Sequence, residues 1–281
     1  MTKVQNNSEL ATALSKAYLE IIPAPGIEDR IMPIPAGSYV SITCSPVHGI
    51  EPTLELMEAL ADRDLKLIPH IAARVIKDKA HLREILTRLQ DAGISSVFCP
   101  GGDAAQAAGI YDSSLSLLRD MADIGHNIRS VGVASHPEGH ALVSDRELVE
   151  LLLQKQEIAN YLVTQMCFDT DLLIRWLRGI REAGVSLRAW IGLPGVADRT
   201  KLFKLSMRIG VGQSAKMLMR QKDLLKKMLQ LKPYQPDELV EQLAPYLSDP
   251  VLDIPSFHLF SFNDVERTEK WRQEAVERYS K

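Results

Sequence analysis

Polar side chains that could move protons or bind a ligand lie in or just after short apolar runs of this sequence. Glu20 lies in LEIIPAPG between Leu19 and Ile21, and Asp103 follows two glycines in VFCPGGDA. Burial raises the pKa of a carboxyl group because it disfavours the charged form, which suits a general acid. The alternatives are a strand glutamate paired with an arginine or lysine, and a turn aspartate that caps the next element.

Two other stretches carry imidazole and amide groups. VASHPEGH places His136 and His140 around Pro137, and TQMCFD places Gln165 beside Cys167. The proline argues against a helix, so we predict no metal site and favour a loop that clasps a ligand over two half-exposed loop histidines. A glutamine amide both donates and accepts, so Gln165 could bind the edge of a heterocycle or a neighbouring protein group. Cys167 would act as a nucleophile only beside a base.

Composition excludes several classes of protein. The chain has 281 residues, of which 46% are hydrophobic and 25% charged, and its net charge is −3. Those values are typical of a globular protein and give no electrostatic footprint for nucleic acid or a membrane surface. Three scattered cysteines, no signal peptide and no long apolar run predict a cytoplasmic protein without a membrane span.

Eight short apolar runs alternate with helix-period segments and predict eight βα units. This pattern indicates an α/β protein, a (β/α)8 TIM barrel, with residues 1–281 as one domain. Extra helices are expected in residues 195–250, between strands 7 and 8. The alternative is an open doubly wound sheet, although no GxGxxG follows the first strand. The strand candidates are 18–23, 39–44, 66–71, 95–99, 129–134, 161–165, 187–193 and 256–262.

Capping residues mark the expected ends of several helices. Asp78 and Asp145 are predicted N-caps, and Pro52 lies near the first position of another helix. Gly93 and Gly184 are predicted to end two helices, because glycine adopts the left-handed conformation that follows many helices.

A barrel would place its chemistry at the carboxyl ends of its strands. The polar residues selected by that rule are Glu20, Thr43, Asp103, His136, His140, Gln165 and His258. Basic residues that could contact an anion are Arg74, Lys155, Arg199, Lys201 and Lys204, although most such side chains are simply solvated.

Taken together, these stretches resemble the methylenetetrahydrofolate reductase family over nearly the whole chain. The matching segments occur in order: LEIIPAPG, SITCSPVHG, IPHIAAR, CPGGDA, SVGVASHPEGH, TQMCFD, the IGLPG strand and FHLFSFN. The most specific are VASHPEGH and TQMCFD, for which the family's forms are A-x-Y-P-E-x-H and T-Q-x-F-F-D. IPHIAAR, RIGVGQSAK and FNDVERTEKWR are more typical of a divergent branch.

The resemblance implies a (β/α)8 barrel that uses NAD(P)H to reduce 5,10-methylenetetrahydrofolate to 5-methyltetrahydrofolate, usually through bound FAD, in one-carbon metabolism and methionine biosynthesis. By position, Glu20 matches the general acid, Asp103 a residue near flavin and folate, and Gln165 a contact of folate and nicotinamide. The implied cofactor-binding residues are Thr43, Gly102, Asp103, His136, His140 and Lys155.

Three departures bear on the flavin. The family's Arg-Gly-Asp is Gly101-Gly102-Asp103 here, so the arginine is missing. The tyrosine that usually precedes Pro-Glu is replaced by His136. The basic residue expected in the helix before TQMCFD aligns with Lys155 only if a gap is introduced. Because some divergent relatives are thought to work without flavin, direct hydride transfer from the nicotinamide is an alternative.

Other functions also remain open at this point. The same chemistry could run as 5-methyltetrahydrofolate oxidation in a demethylation pathway, and a non-catalytic folate-binding barrel is a further alternative. A Schiff-base lyase is disfavoured because no strand candidate ends in lysine. The expected partners are folate and a nicotinamide dinucleotide, with no nucleic acid and no membrane, and a homo-oligomer is left open.

Overall fold

The computed structural model describes residues 3–211 and 233–281. Eight parallel strands form one sheet in the order β3-β2-β1-β8-β7-β6-β5-β4, and a parallel bridge between His70 and Phe98 joins the two outer strands. The result is a nearly closed (β/α)8 barrel, as the sequence predicts. The strands are β1 (Tyr18–Ile21), β2 (Tyr39–Ile42), β3 (Lys66–Pro69), β4 (Ser96–Phe98), β5 (Ser130–Ser135), β6 (Tyr161–Thr164), β7 (Arg188–Pro194) and β8 (Ser256–Phe260).

Helices alternate with these strands, and two of them lie in the predicted insertion between β7 and β8. They are α1 (Lys3–Ser15), α2 (Ile27–Arg30), α3 (Glu51–Leu60), α4 (Lys79–Asp91), α5 (Ser114–Asp123), α6 (Asp145–Lys155), α7 (Thr170–Glu182), α8 (Arg199–Arg208), α9 (Asp237–Leu243) and α10 (Val265–Tyr279). The rest of the predicted insertion, including most of RIGVGQSAK, lies outside the described residues. None of the helices in the two described ranges combines the length and hydrophobicity needed to span a bilayer.

Local signals account for the helix ends, with one correction. The Asp78 carboxylate accepts a hydrogen bond from the His81 amide at the start of α4, and Gly93 follows that helix with φ +70°. The prediction that Asp145 caps α6 is wrong, because the Ser144 hydroxyl accepts from the Glu147 amide instead. Asp145 is the first helical residue, where its negative charge interacts favourably with the positive end of the helix dipole and stabilises α6.

The amino-terminal end of the barrel is filled by aromatic rings. Tyr18 lies 5.2 Å from Tyr39 and 5.2 Å from Trp190 between ring centroids, and Tyr161 lies 5.0 Å from Trp190. A Cβ atom at Gly132 would lie 2.2 Å from the Tyr161 ring, so this packing requires glycine there. With this end filled, ligand access is left to the carboxyl ends of the strands.

Candidate active site

A cavity of about 300 Å³ opens at the carboxyl ends of the strands. The seven polar residues that the strand-end rule selects all line it, namely Glu20, Thr43, Asp103, His136, His140, Gln165 and His258, and so does Gly102. Lys155 is not among the lining residues, whereas His70, Phe98 and Phe260 are. The structure thus brings the predicted residues together, while their individual roles stay predictions.

Glu20 lies near the end of β1, with its carboxylate between two imidazoles. Its Oε2 atom is 3.0 Å from His258 Nε2 and 3.9 Å from His70 Nε2, and 12% of the side chain is exposed. His258 comes from β8, the neighbour of β1 in the sheet. A carboxyl group held this way is largely shielded from bulk water yet faces the cavity, which suits proton exchange with a bound ligand.

His70 and Ser41 extend this network and were missed as site residues. The Ser41 hydroxyl lies 2.6 Å from His70 Nε2. Burial, with His258 nearby, holds the pKa of His70 well below its usual value, so this imidazole is neutral at pH 7. The sequence interpretation ran the third strand to residue 71 and so enclosed His70. The strand in fact ends at Pro69, which places His70 at a strand end, like the other site residues.

The hydrogen of His258 can be assigned from its surroundings. His258 Nδ1 is buried and has no hydrogen-bond partner in the described part of the chain. Buried N–H groups without a partner are rarer than unpaired acceptors. We therefore place a hydrogen on His258 Nε2, which donates it to the Glu20 carboxylate.

The loop after β4 forms another part of the cavity wall. Gly102 has φ +92°, and a Cβ atom there would lie 3.1 Å from Ala72 Cβ, so glycine is required. This close turn presents Asp103 at the exposed mouth of the cavity. The prediction that Arg74 contacts an anion is not supported, because its guanidinium donates to backbone carbonyls of this loop. Those carbonyls belong to Ala104, Ala105 and Asp112.

Two histidines and a lysine form a basic cluster at the β5 end. The rings of His136 and His140 are 5.1 Å apart. Burial, assisted by His140 and Lys155, lowers the pKa of His136 to about 4. Burial alone lowers the pKa of Lys155 to about 8. His136 is therefore neutral at pH 7, and Lys155 is a desolvated cation whose charge acts on His136.

The remaining polar groups are suited to binding. The Gln165 side-chain oxygen accepts a hydrogen bond from the Met166 amide, which leaves its NH₂ group as the donor available to a ligand. Cys44 also lines the cavity, but burial raises the pKa of its thiol to about 11, so it is not a thiolate nucleophile. Within residues 3–211 and 233–281, no cluster of three His, Cys, Asp or Glu side chains could hold a metal ion.

The fold and cavity define a TIM-barrel protein with a candidate ligand site at the carboxyl ends of its strands. The sequence model of the methylenetetrahydrofolate reductase family matches residues 30–272, and the chain belongs to that family.

Two comparisons with individual proteins qualify this result. Methylenetetrahydrofolate reductase 1 of Schizosaccharomyces pombe is 28% identical over 117 residues, which are 38% of this chain and 19% of that protein. The match thus spans less than a fifth of this relative. A crystal structure of a Toxoplasma gondii ME49 chain described as an apo-form deoxyribose-phosphate aldolase aligns over 98% of this chain and 99% of its own. Its TM-score is 0.52 at 11% identity, which shows the fold alone.

Proposed function

We propose that this protein reduces 5,10-methylenetetrahydrofolate to 5-methyltetrahydrofolate with NAD(P)H as the hydride source. The observation that carries the proposal is the position of the Glu20 carboxylate. His258 holds it on the wall of a cavity that Asp103 and Gln165 also line. Membership in the reductase family supports the same reaction class. The proposal assigns the protein to one-carbon metabolism, as a single barrel domain in the cytoplasm.

Glu20 is the proposed general acid. In its protonated form it would donate a proton to N10 of the imidazolidine ring, so that the bond between N10 and the bridging carbon breaks and a 5-iminium cation forms. Hydride addition to that carbon then gives the methyl group. A positioned acid of this kind contributes about 10²- to 10⁴-fold to turnover.

The other side chains would stabilise and orient the substrate. The Asp103 carboxylate is the proposed counter-charge for the iminium cation, an electrostatic effect that is commonly the largest in catalysis. The Gln165 NH₂ group would bind an acceptor on the pterin edge. His70 is neutral at pH 7, so it adds no positive charge that would oppose the cation.

The lining suits a flat neutral ring better than a phosphate. Thr43, Gly102 and Gln165 offer hydrogen-bonding groups, but the described lining includes no arginine or lysine, and Arg74 is engaged by its own loop. Bound FAD would relay hydride from the nicotinamide to the substrate. We propose that the cavity accepts the flavin ring of FAD and that the pyrophosphate of FAD is held weakly, with Lys155 as a candidate cation.

The reaction is tested by following nicotinamide oxidation with purified protein, 5,10-methylenetetrahydrofolate and added FAD. Substrate-dependent oxidation with formation of 5-methyltetrahydrofolate is the expected result. Folate binding without turnover would overturn the proposal in favour of a binding barrel. Turnover only from 5-methyltetrahydrofolate with an oxidised acceptor would establish the oxidative direction instead.

The FAD proposal has a separate test in Gly101→Arg. A Cβ atom at Gly101 meets nothing within 4 Å, so a side chain can begin there without a clash. A charge-assisted pair contributes about 1.5–3 kcal/mol, so FAD should bind roughly 10- to 100-fold more tightly. Gly101→Ala is the matched control, and fluorescence titration is the measurement. Full NADH-dependent activity with no binding at tens of micromolar FAD would favour direct hydride transfer.

A further inference from the structure

The loop after β8 bends through two consecutive left-handed residues next to Glu20. Phe262 has φ 51° and Asn263 has φ 61°, although neither is glycine. Left-handed backbone costs a non-glycine residue roughly 1–2 kcal/mol, and asparagine tolerates it better than most. Such strain persists where the surrounding contacts enforce it and is common at functional sites.

Two side chains of this bend contact the end of β1. The Asn263 side chain accepts from the Ile22 amide at 2.7 Å through Oδ1 and donates to the Ile22 carbonyl at 2.8 Å through Nδ2. The Ser261 hydroxyl donates to the Glu20 carbonyl and accepts from the Asn263 amide at 3.2 Å.

These bonds replace a backbone ladder that has ended. The parallel register of β1 and β8 runs from the Tyr18–His258 pair to the Glu20–Phe260 pair, after which the chain turns away. Ser261 and Asn263 continue the pairing with side-chain groups for two more residues. The end of β1 is therefore fixed to β8 on both sides of the Glu20 carboxylate, which His258 holds directly.

We infer that Asn263 is a positioning residue that fixes the β1 end and thereby aims the Glu20 carboxylate into the cavity; this inference rests on the proposed reduction. Asn263 does not line the cavity and acts only through the backbone of Ile22. Because a displacement of about 1 Å at a reacting group can cost about 10²-fold in rate, loss of the two Asn263–Ile22 hydrogen bonds should lower kcat rather than substrate affinity.

Two substitutions separate the hydrogen bonds of the Asn263 side chain from the left-handed backbone at this position. Asn263→Gly adopts φ 61° without strain but removes both side-chain bonds, whereas Asn263→Asp keeps the shape and replaces the donor to the Ile22 carbonyl with an acceptor. Both should lower kcat about 10- to 100-fold with KM within about threefold of wild type. The matched control is Asp253→Gly, a left-handed residue just before β8 at the opposite end of the barrel, which should leave kcat unchanged.

The decisive measurement is a double-mutant cycle with Glu20→Gln. If Asn263 acts through Glu20, Asn263→Gly should lower the kcat of the Glu20→Gln protein by less than about twofold. Equal losses in both backgrounds, or Asn263→Gly with wild-type kcat, would overturn the inference while leaving the proposed reduction intact. Absence of wild-type turnover would overturn the proposed reduction itself, and this inference with it.

Discussion

Two carboxylates that are shielded from bulk water in this barrel have opposite surroundings. Glu269 on α10 is 1% exposed, and Arg272 grips both of its oxygens at 2.7 and 2.8 Å. Gln273 donates to Glu269 as well, and Arg272 also donates to the last carbonyls of α1. This fully satisfied pair ties the terminal helices together.

Glu20 has partners of another kind. His258 and His70 are both imidazoles, and the carboxylate faces a cavity rather than packed protein. Arginine keeps its proton at any ordinary pH, so Glu269 has no proton to exchange with its partner. On the proposed function, the type of partner and the access to a cavity, more than the depth of burial, distinguish a reactive carboxylate from a structural one.

The largest expected effect is the loss of turnover in Glu20→Gln. The amide keeps the shape and the contact with His258 but cannot supply a proton. We expect kcat to fall about 10²- to 10⁴-fold, with little change in folate affinity or in the free energy of unfolding. Steady-state kinetics with a parallel urea titration measures both, and turnover within a few-fold of wild type would make Glu20 structural.

Glu269→Gln should do the reverse. It leaves the Arg272 guanidinium buried without its counter-charge, which typically costs about 3–5 kcal/mol of unfolding free energy. Urea unfolding measures the loss, and kcat per folded molecule should match wild type. A selective loss of kcat with unchanged stability would contradict the division between the two carboxylates.

Lys155 provides an intermediate case, because it has no bonded carboxylate within residues 3–211 and 233–281 and burial lowers its pKa from 10.5 to about 8. The unfolded chain therefore binds more protons than the folded one between those values, so the destabilisation is full below pH 8 and disappears above pH 10.5. Lys155→Met should raise the free energy of unfolding at pH 7 by up to about 3 kcal/mol. Urea titrations at pH 7 and pH 10.5 test this, and an equal gain at both pH values would exclude the proton-linked cause.

The strands were predictable because their signal is local. All eight apolar runs became strands, whereas the contacts that define the site join distant parts of the chain. His258 and Glu20 are 238 residues apart, and Asn263 and Ile22 are 241 apart. Strand-end position and family resemblance selected eight of the lining residues. His70 was missed because the predicted strand end was two residues too late. No local pattern indicates that the Asn263 side chain bonds to the backbone of Ile22.

The smallest expected effect concerns His258, and it sharpens what an imidazole partner does. Its Nδ1 atom has no partner among the described residues, so no protein group there can pass a proton through the ring to Glu20. His258 should then act as a fixed donor rather than a shuttle. A glutamine can place an N–H near the position of Nε2, so His258→Gln should lower kcat by less than about tenfold.

His258→Phe keeps a ring but leaves the Glu20 carboxylate without its donor, and should lower kcat further. Equal losses in the two variants would show instead that titration of the imidazole itself is required. Comparison of their pH–rate profiles with that of the wild type would then identify the titration step that is lost.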